Sequence, residues 1–348
     1  MKIAFILPSL EMKGPIVYVY YLIQGLKTKV ENIEIFYFKD IIELEMGVPI
    51  SKIHFLQKVS FDQFDIVHSH GAIPDLYAFK SDIRNKWVST MHDMYREQLQ
   101  LTHNFLYAQL VINIWSFALR RIKNMVVFSE VLEKYYRQSF GDKNYRIIPT
   151  GVPHKNLLDV ENKDRNLLIQ LAEKYTILGS SGLLTKRKGY KQLIDFLRYN
   201  DNYVVVITGD GEEYENLKMY ASEHGVEDRF FLLGFKKNSI DYLRYYHIFV
   251  LPSYAEGLPL SLLEAISQKL PIVCSNLDIY SDYFNDDDVA FFELENPKSL
   301  ENAIHRVNCD LEYFKRRSAE IYTKKFSLEV MAYNYLTYYQ EVSRRNIL

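Results

Sequence analysis

The run Ile248-Phe249-Val250-Leu251-Pro252-Ser253-Tyr254-Ala255-Glu256-Gly257-Leu258-Pro259-Leu260-Ser261-Leu262-Leu263-Glu264-Ala265-Ile266 opens on four apolar strand formers. It then passes through a loop punctuated by Gly257 and Pro259 and ends in helix formers. Strand, tight loop and helix form the repeating step of an α/β fold. Pro259 has no N–H and a fixed φ, which suits the first helical position. The amides of Leu260, Ser261 and Leu262 then point out of the helix start, where phosphate is bound well.

Glu256 lies in the loop ahead of that helix and Glu264 one to two turns inside it. A single Glu there is ordinary dipole complementarity. Two of them beside an anion site call for a ligand that also carries hydroxyls, because carboxylate and phosphate repel. A sugar nucleotide meets both demands.

The same alternation extends in both directions. Residues 2–7, 33–38, 65–68, 86–90, 124–128 and 146–149 read as strands, with helices such as 16–26 and 131–138 between them. After the break Thr150-Gly151-Val152-Pro153 the pattern restarts. Strands are expected at 175–180, 203–208, 230–233, 248–251, 271–274 and 289–292. Helices are expected at 188–199, 213–224, 239–245, 260–268 and 297–309. The expectation is two doubly wound, Rossmann-like domains, 1–155 and 165–325, with a linker near 151–165. Ligands of such sheets sit beyond the carboxyl ends of strands, so facing domains would share a central cleft. The tail 326–342 is helical, with Tyr333, Tyr335, Leu336 and Tyr339 expected on its apolar face.

With 348 residues, 48% of them hydrophobic and 25% charged, the chain has an ordinary globular balance and is long enough for two domains. Cys274 and Cys309 show neither metal nor redox spacing, which fits a reducing, cytoplasmic compartment. The opening Met1-Lys2-Ile3-Ala4-Phe5-Ile6-Leu7-Pro8 is too short for a signal peptide and reads as a buried strand. Residues 1–155 hold 19 Lys/Arg against 15 Asp/Glu, and the remainder 23 against 29. The basic excess is small and forms no stripe, which argues against nucleic acid and allows an anionic acceptor or lipid surface.

Residues 98–119 carry no charge, yet are too polar for a membrane span. Leu106, Leu110, Asn113 or Ile114, and Phe117 recur at helical spacing ahead of Arg120-Arg121-Ile122-Lys123. The expectation is a helix with that face on the core and a basic end; the alternative is a helix docked on a membrane surface. Asp286-Asp287-Asp288 follows Asn285 and reads as a solvated turn rather than a metal site.

The stretch from Glu256 to Glu264 resembles the E-x(7)-E signature of retaining glycosyltransferases of the GT-B fold, family 4 (group 1). In that family the first Glu contacts the donor sugar and the second the ribose. Gly182-Leu183-Leu184-Thr185-Lys186-Arg187-Lys188-Gly189 is similar to the family's G-R-L-x-x-x-K-G segment, whose Arg and Lys clamp the diphosphate. Lys188 matches the Lys; Leu183 stands in the Arg place, leaving Arg187 or Lys186 to supply the charge. Gly209-Asp210-Gly211 with Leu217 is similar to G-x-G-x-x-x-x-L, and Gly234-Phe235 falls where the family lines its base pocket. Gly14 corresponds to a glycine-rich loop that meets the diphosphate, with Lys13 in place of its other glycine.

Asp65-Ile66-Val67-His68-Ser69-His70 and Thr90-Met91-His92-Asp93 look like D-V-x-H-x-H and T-x-H-D, which puts His92 on the acceptor side. By residue type His68, His70 and His92 could also hold a metal, although the family acts without one. Other departures are Thr150 for Asn, Lys269 for Gly, and no glycine pair in 276–280.

The resemblance implies Glu256, Lys188 and His92 as catalytic, with Gly14, Arg187, Gly211, Phe235, Gly257, Leu258, Leu260, Ser261 and Glu264 binding the donor. It implies a UDP- or GDP-type sugar as donor, a glycan or lipid-linked acceptor, no metal or other cofactor, and peripheral contact with the inner membrane surface. It also implies that a C-terminal helix, 326–348, completes the first domain. Two rival readings share the fold: a sugar-nucleotide 2-epimerase and a non-catalytic sugar-nucleotide-binding subunit.

Overall fold

The computed structural model describes residues 1–345 except 82, 84 and 103, with residues 101 and 102 described in backbone only. It divides into unit 1 (Met1–Gly151 with Leu328–Leu348) and unit 2 (Val152–Ser327). Unit 1 runs β1 (Lys2–Leu7), α1 (Gly14–Leu26), β2 (Asn32–Tyr37), β3 (Ile50–Lys52), β4 (Ile66–Ser69), α2 (Ala72–Lys80) and β5 (Trp87–Thr90). It continues α3 (Tyr95–Thr102), α4 (Phe105–Arg121), β6 (Asn124–Val127), α5 (Glu130–Phe140) and β7 (Asn144–Ile147). Unit 2 runs α6 (Asn162–Ala172), β8 (Thr176–Ser181), α7 (Lys191–Leu197), β9 (Tyr203–Thr208), α8 (Tyr214–Glu223) and β10 (Phe230–Leu232). It continues β11 (Ile248–Leu251), α9 (Leu260–Ser267), β12 (Ile272–Ser275), β13 (Ala290–Phe292), α10 (Pro297–Cys309) and α11 (Leu311–Ile321), before α12 (Leu328–Arg344) returns to unit 1.

Both sheets are wholly parallel. Unit 1 has seven strands in the order β3-β2-β1-β4-β5-β6-β7, and unit 2 has six in the order β10-β9-β8-β11-β12-β13. Strands such as Ile248–Leu251 and Val204–Ile207 are buried end to end, as parallel sheets covered on both faces require. In each sheet the order reverses once, between β1 and β4 and between β8 and β11, and crevices beyond such points receive ligands.

Several expectations shift in detail. The segment 98–119 is two helices broken at Asn104, whose side chain caps α4 by accepting from the Tyr107 amide at 3.0 Å. Its expected core face is exposed: Leu106, Leu110, Ile114 and Phe117 all face solvent, and Ala108, Ile112, Ser116 and Leu119 are buried instead. The second set has the same spacing displaced by two residues, and two residues are about 200° of helix. Small Ala108 and Ser116 let α4 settle closely on that side.

On α12 the buried face is Met331, Tyr335, Tyr338, Tyr339 and Val342, while Tyr333 is exposed; Tyr333 and Tyr335 are too far apart around a helix to share a face. This helix packs tightly on α1: a Cβ at Gly25 would lie 3.0 Å from Ala332 Cβ. The segment 188–199 splits into a 3₁₀ turn, Lys186–Lys188, and α7. Asp286-Asp287-Asp288 is a turn, its amides at 287 and 288 donating to the Asn285 side chain and Asp288 pairing with Arg317 at 2.6 Å. Cys274 is buried and Cys309 exposed, and both are free thiols.

Candidate active site

In unit 2 two loops leave the sheet on either side of its reversal point, Gly182–Gly189 after β8 and Pro252–Pro259 after β11. Their close approach requires glycine at one position: Gly189 has φ +66°, and a Cβ there would lie 2.1 Å from the Pro252 carbonyl oxygen. Gln192 ties the loops further by donating to that carbonyl at 2.9 Å, and the Tyr254 amide donates to the Arg187 carbonyl at 2.8 Å. The first loop is also laced to the loop after β9, Leu184 N–H to Asp210 O and Glu213 N–H to Leu184 O at 2.9 Å each. Gly211 serves that packing, since a Cβ there would meet the Leu184 carbonyl oxygen at 2.5 Å.

The crossing brings three charges together. Buried Lys188 donates from Nζ to Glu256 Oε1 at 2.6 Å. Arg187 Nη1 reaches Glu256 Oε2 at 3.0 Å and the Ala255 carbonyl at 2.6 Å. Ser253 Oγ donates to Glu256 Oε1 at 2.7 Å. Burial pulls the Glu256 carboxyl upward, but Lys188, Arg187 and the hydrogen bonds from Lys188 and Ser253 outweigh it and hold the group below its ordinary value. Two cations against one carboxylate leave one positive charge in excess at the loop crossing.

Leu183, in the place of the family's arginine, points to solvent with 67% of its surface exposed. Arg187, by contrast, brings its guanidinium to the same carboxylate as Lys188.

Pro259 is the N-cap of α9, with extended backbone (φ −70°, ψ 129°), and not its first helical residue. The Leu262 amide donates to the Pro259 carbonyl at 3.1 Å, so it is not one of the outward donors expected. Leu260 and Ser261 remain at the helix start, where first-turn amides have no acceptor within the helix. Gly257 is half-buried, Leu258 buried, and Glu264 half-buried in the second turn of α9. Phe235, just past β10 beyond the Gly209–Gly234 bridge, is 72% exposed. Ser253 and Gln192 were missed by the sequence reading; Ser253, three residues before Glu256 in the same loop, was the available signal.

In unit 1 the equivalent reversal point carries a neutral, buried network. His68 is bonded through Nδ1 to Tyr339 Oη at 2.6 Å and through Nε2 to Thr90 Oγ1 at 2.8 Å. Thr90 continues to Tyr335 Oη at 3.0 Å, and Tyr335 to Tyr18. His70 Nδ1 lies 3.1 Å from His92 Nε2, and His92 packs edge-on against Tyr18 with ring centroids 5.2 Å apart. Burial lowers all three histidines, His92 to about 3, with neighbouring rings adding to the effect on His68 and His70. Both ring nitrogens of His68 are occupied, so it has no lone pair to give a metal. Among the described residues no group of three His, Cys, Asp or Glu is placed to hold one. His68 is therefore structural, tying β4 to α12, while half-buried His92 is the member nearest solvent. Gly14 is the first residue of α1; a Cβ there would meet nothing within 4 Å, so no neighbour requires glycine. Lys13 is paired with Glu11 at 2.9 Å.

Comparison with known proteins bears on the whole chain. Residues 163–324 match the sequence model of "Glycosyl transferases group 1", and residues 17–156 match that of "Glycosyltransferase Family 4". The O-antigen biosynthesis glycosyltransferase WclY of Escherichia coli is 24% identical over 99% of both chains. An E. coli UDP-Gal:alpha-D-GlcNAc-diphosphoundecaprenol alpha-1,3-galactosyltransferase is 31% identical over 47% of this chain and 45% of its own. The structure of Anabaena HepE in complex with UDP superposes with a TM-score of 0.81 at 16% identity, covering 98% of this chain and 100% of that one. With two doubly wound parallel sheets and both family models matched in order, the chain belongs to the group 1 glycosyltransferases of the GT-B fold.

Proposed function

We propose that the protein is a retaining glycosyltransferase of bacterial surface-polysaccharide assembly. It moves a sugar from a nucleotide diphosphate sugar to a hydroxyl of a glycan or lipid-linked acceptor. The observation that carries this reading is the Lys188–Glu256–Arg187 cluster at the reversal point of the unit 2 sheet, beside the start of α9. A diphosphate leaving group gains negative charge as its bond to the sugar breaks, and fixed cations there lower the barrier. Lys188, Arg187 and the Leu260 and Ser261 amides take that role. Glu256, already oriented by Lys188 and Ser253, holds the donor sugar through its hydroxyls. Glu264 takes the ribose, Phe235 stacks on the base, and the backbones at Gly211, Gly257 and Leu258 lie along the donor.

In this reading the C1–O bond to the diphosphate breaks while the acceptor oxygen attacks C1 from the same face. The departing phosphate oxygen accepts the acceptor's proton, so no protein nucleophile enters. His92, kept neutral by burial, hydrogen-bonds the acceptor hydroxyl. Lys188 and Arg187 supply positive charge that a divalent ion would otherwise provide, so transfer should survive EDTA. Undecaprenol-linked acceptors, as named for one relative, would place the reaction at the cytoplasmic face of a membrane, with peripheral contact there.

Thermal shifts against UDP-, GDP- and other nucleotide sugars, with and without EDTA, test the donor site, since a ligand bound only by the folded chain raises Tm. A selective, EDTA-insensitive shift supports the reading. No shift with any donor overturns it. Release of an epimerised nucleotide sugar without acceptor would favour the epimerase, and binding without turnover a non-catalytic subunit.

A further inference from the structure

Helix α4 has two apolar faces. One is fixed to the body of unit 1: Trp115 Nε1 donates to buried Asp75 at 2.7 Å, and Ser116 Oγ lies 2.9 Å from Tyr95 Oη. The opposite face cannot turn inward without breaking those bonds. On it Leu106, Leu110, Ile114 and Phe117 form a stripe along about three turns, with Phe105 and Tyr107 also exposed at the same end as Leu106. Leu106 is 80% exposed and Leu110 58%. Contiguous exposed apolar surface of this kind marks a site of contact. Among the described residues no helix is long and apolar enough to cross a membrane.

The stripe ends in positive charge. Arg121 lies over the Phe117 ring, 5.7 Å from its centroid. Beyond it opens a surface cleft of about 600 Å³ lined by Arg120, Arg121, Lys123, Lys143 and Arg345. Asp142 is the acid on its wall among the described residues, and it is already paired with Arg137. The helix itself carries no Asp or Glu. An apolar stripe continuous with a cationic cleft matches the boundary of an anionic bilayer, acyl chains against the stripe and phosphates in the cleft.

We propose that α4 and the cleft at its C-terminal end seat unit 1 on an anionic phospholipid surface. The proposal deepens the proposed function only by giving a lipid-linked acceptor a meeting place; binding needs neither donor nor acceptor. The full chain is floated with vesicles of phosphatidylcholine alone and of phosphatidylcholine mixed with phosphatidylglycerol. It should partition onto the mixed vesicles, weakly or not at all onto phosphatidylcholine, and less at high salt. Combined Leu106→Ser and Leu110→Ser should abolish binding with the melting curve unchanged, since both are mostly exposed; Phe117 is left in place because its ring also packs edge-on against Phe79, with centroids 5.3 Å apart. Arg121→Glu with Lys123→Glu should weaken it about 100-fold and keeps the test decisive if the serine variant misfolds. Wild-type protein that ignores both vesicles overturns the proposal, as does equal binding by wild type and variants. Concentration-dependent self-association through the stripe, with no vesicle affinity, overturns it in favour of a second copy. Donor-induced thermal shifts that persist in the variants would show that a failure of docking leaves the transferase reading intact.

Discussion

The two sheets reverse strand order at equivalent places, yet they carry opposite electrostatics there. At β8/β11 the site is ionic, with Lys188 and Arg187 on Glu256. At β1/β4 it is neutral, with three histidines depressed by burial among Tyr18, Thr90, Tyr335 and Tyr339. In the proposed reading one topology supports two chemistries, and the loops decide which. A site that must receive a diphosphate needs held positive charge. One that must orient an uncharged hydroxyl needs donors and acceptors that do not ionise at neutral pH. This contrast predicts that variants in the two units fail in different ways.

The largest effect is expected at the ionic site. Lys188→Ala should lower kcat about 10²–10³-fold by removing charge from the leaving group. It also takes from Glu256 its buried cation and leaves only Arg187 and Ser253 on the carboxylate, at a cost of up to about 3 kcal/mol in stability, so melting must be followed beside the rate. Glu256→Gln keeps a side chain that hydrogen-bonds but frees Lys188, and should still bind nucleotide while losing transfer. His92→Ala should leave donor affinity unchanged and raise the acceptor KM. If His92→Ala weakened donor binding and Lys188→Ala did not, the division of labour between the units would be wrong.

The neutral site predicts acid sensitivity. Each histidine is uncharged in the folded chain well below its ordinary value of 6.5, so unfolding takes up a proton there, and stability is lost as pH falls from 6.5. Asp75 opposes this. Burial raises its carboxyl to about 6 despite hydrogen bonds from Ser69, Ser89 and Trp115. It therefore contributes stability that is present below its ordinary 3.8 and lost as pH rises through about 6. Below about pH 6 proton uptake by the histidines on unfolding opposes the release from Asp75, and with three groups against one the balance makes stability fall with pH. His70→Gln should remove about one of those protons. A pH series of melts with the same slope for wild type and variant would show that the buried rings do not control acid unfolding.

These cases mark where the sequence was legible. Continuous apolar runs such as Val204–Ile207 and Ile248–Leu251 can only be covered strands, so the alternation and both sheets could be read directly. Three-residue β3 was not, because Ile50–Lys52 sits at a sheet edge with no buried run to betray it. Helix α6 was not expected: it begins in the stretch that reads as linker, 151–165, and runs on through residues assigned no element. Helix α4 was turned the wrong way because it carries two stripes of equal spacing. At the site, residue types and spacing pointed to Glu256 and Lys188, but not to their ion pair, which joins residues 68 apart. Nor could they show that His68 answers to Tyr339 across 271 residues. Long-range partners are set by packing, which local pattern does not encode.

A smaller effect is expected from Phe235→Ala. The ring is exposed and bonded to nothing that holds the fold, so the Tm should stay put. Loss of stacking on the nucleotide base should raise the donor KM about 10-fold with kcat nearly unchanged, in line with the worth of a base–aromatic contact. An equal fall in kcat would mean that the ring acts on the reacting centre and not on the base.

The smallest effect sharpens the ionic side of the comparison. Leu183→Arg restores the family's arginine on an exposed side chain, where it disturbs no packing. If Arg187, already at Glu256 Oε2, supplies the missing charge, a second guanidinium finds the phosphate partly neutralised, and kcat/KM should change less than about 3-fold. If Arg187 only braces Glu256, the gain should exceed about 10-fold, the scale of one charge-assisted hydrogen bond to phosphate. Pairing the substitution with Arg187→Ala decides between them. Rescue of Arg187→Ala by Leu183→Arg would mean the two positions serve one phosphate. Failure to rescue, with Glu256 disordered, would assign Arg187 to positioning and leave Lys188 as the cation that meets the leaving group.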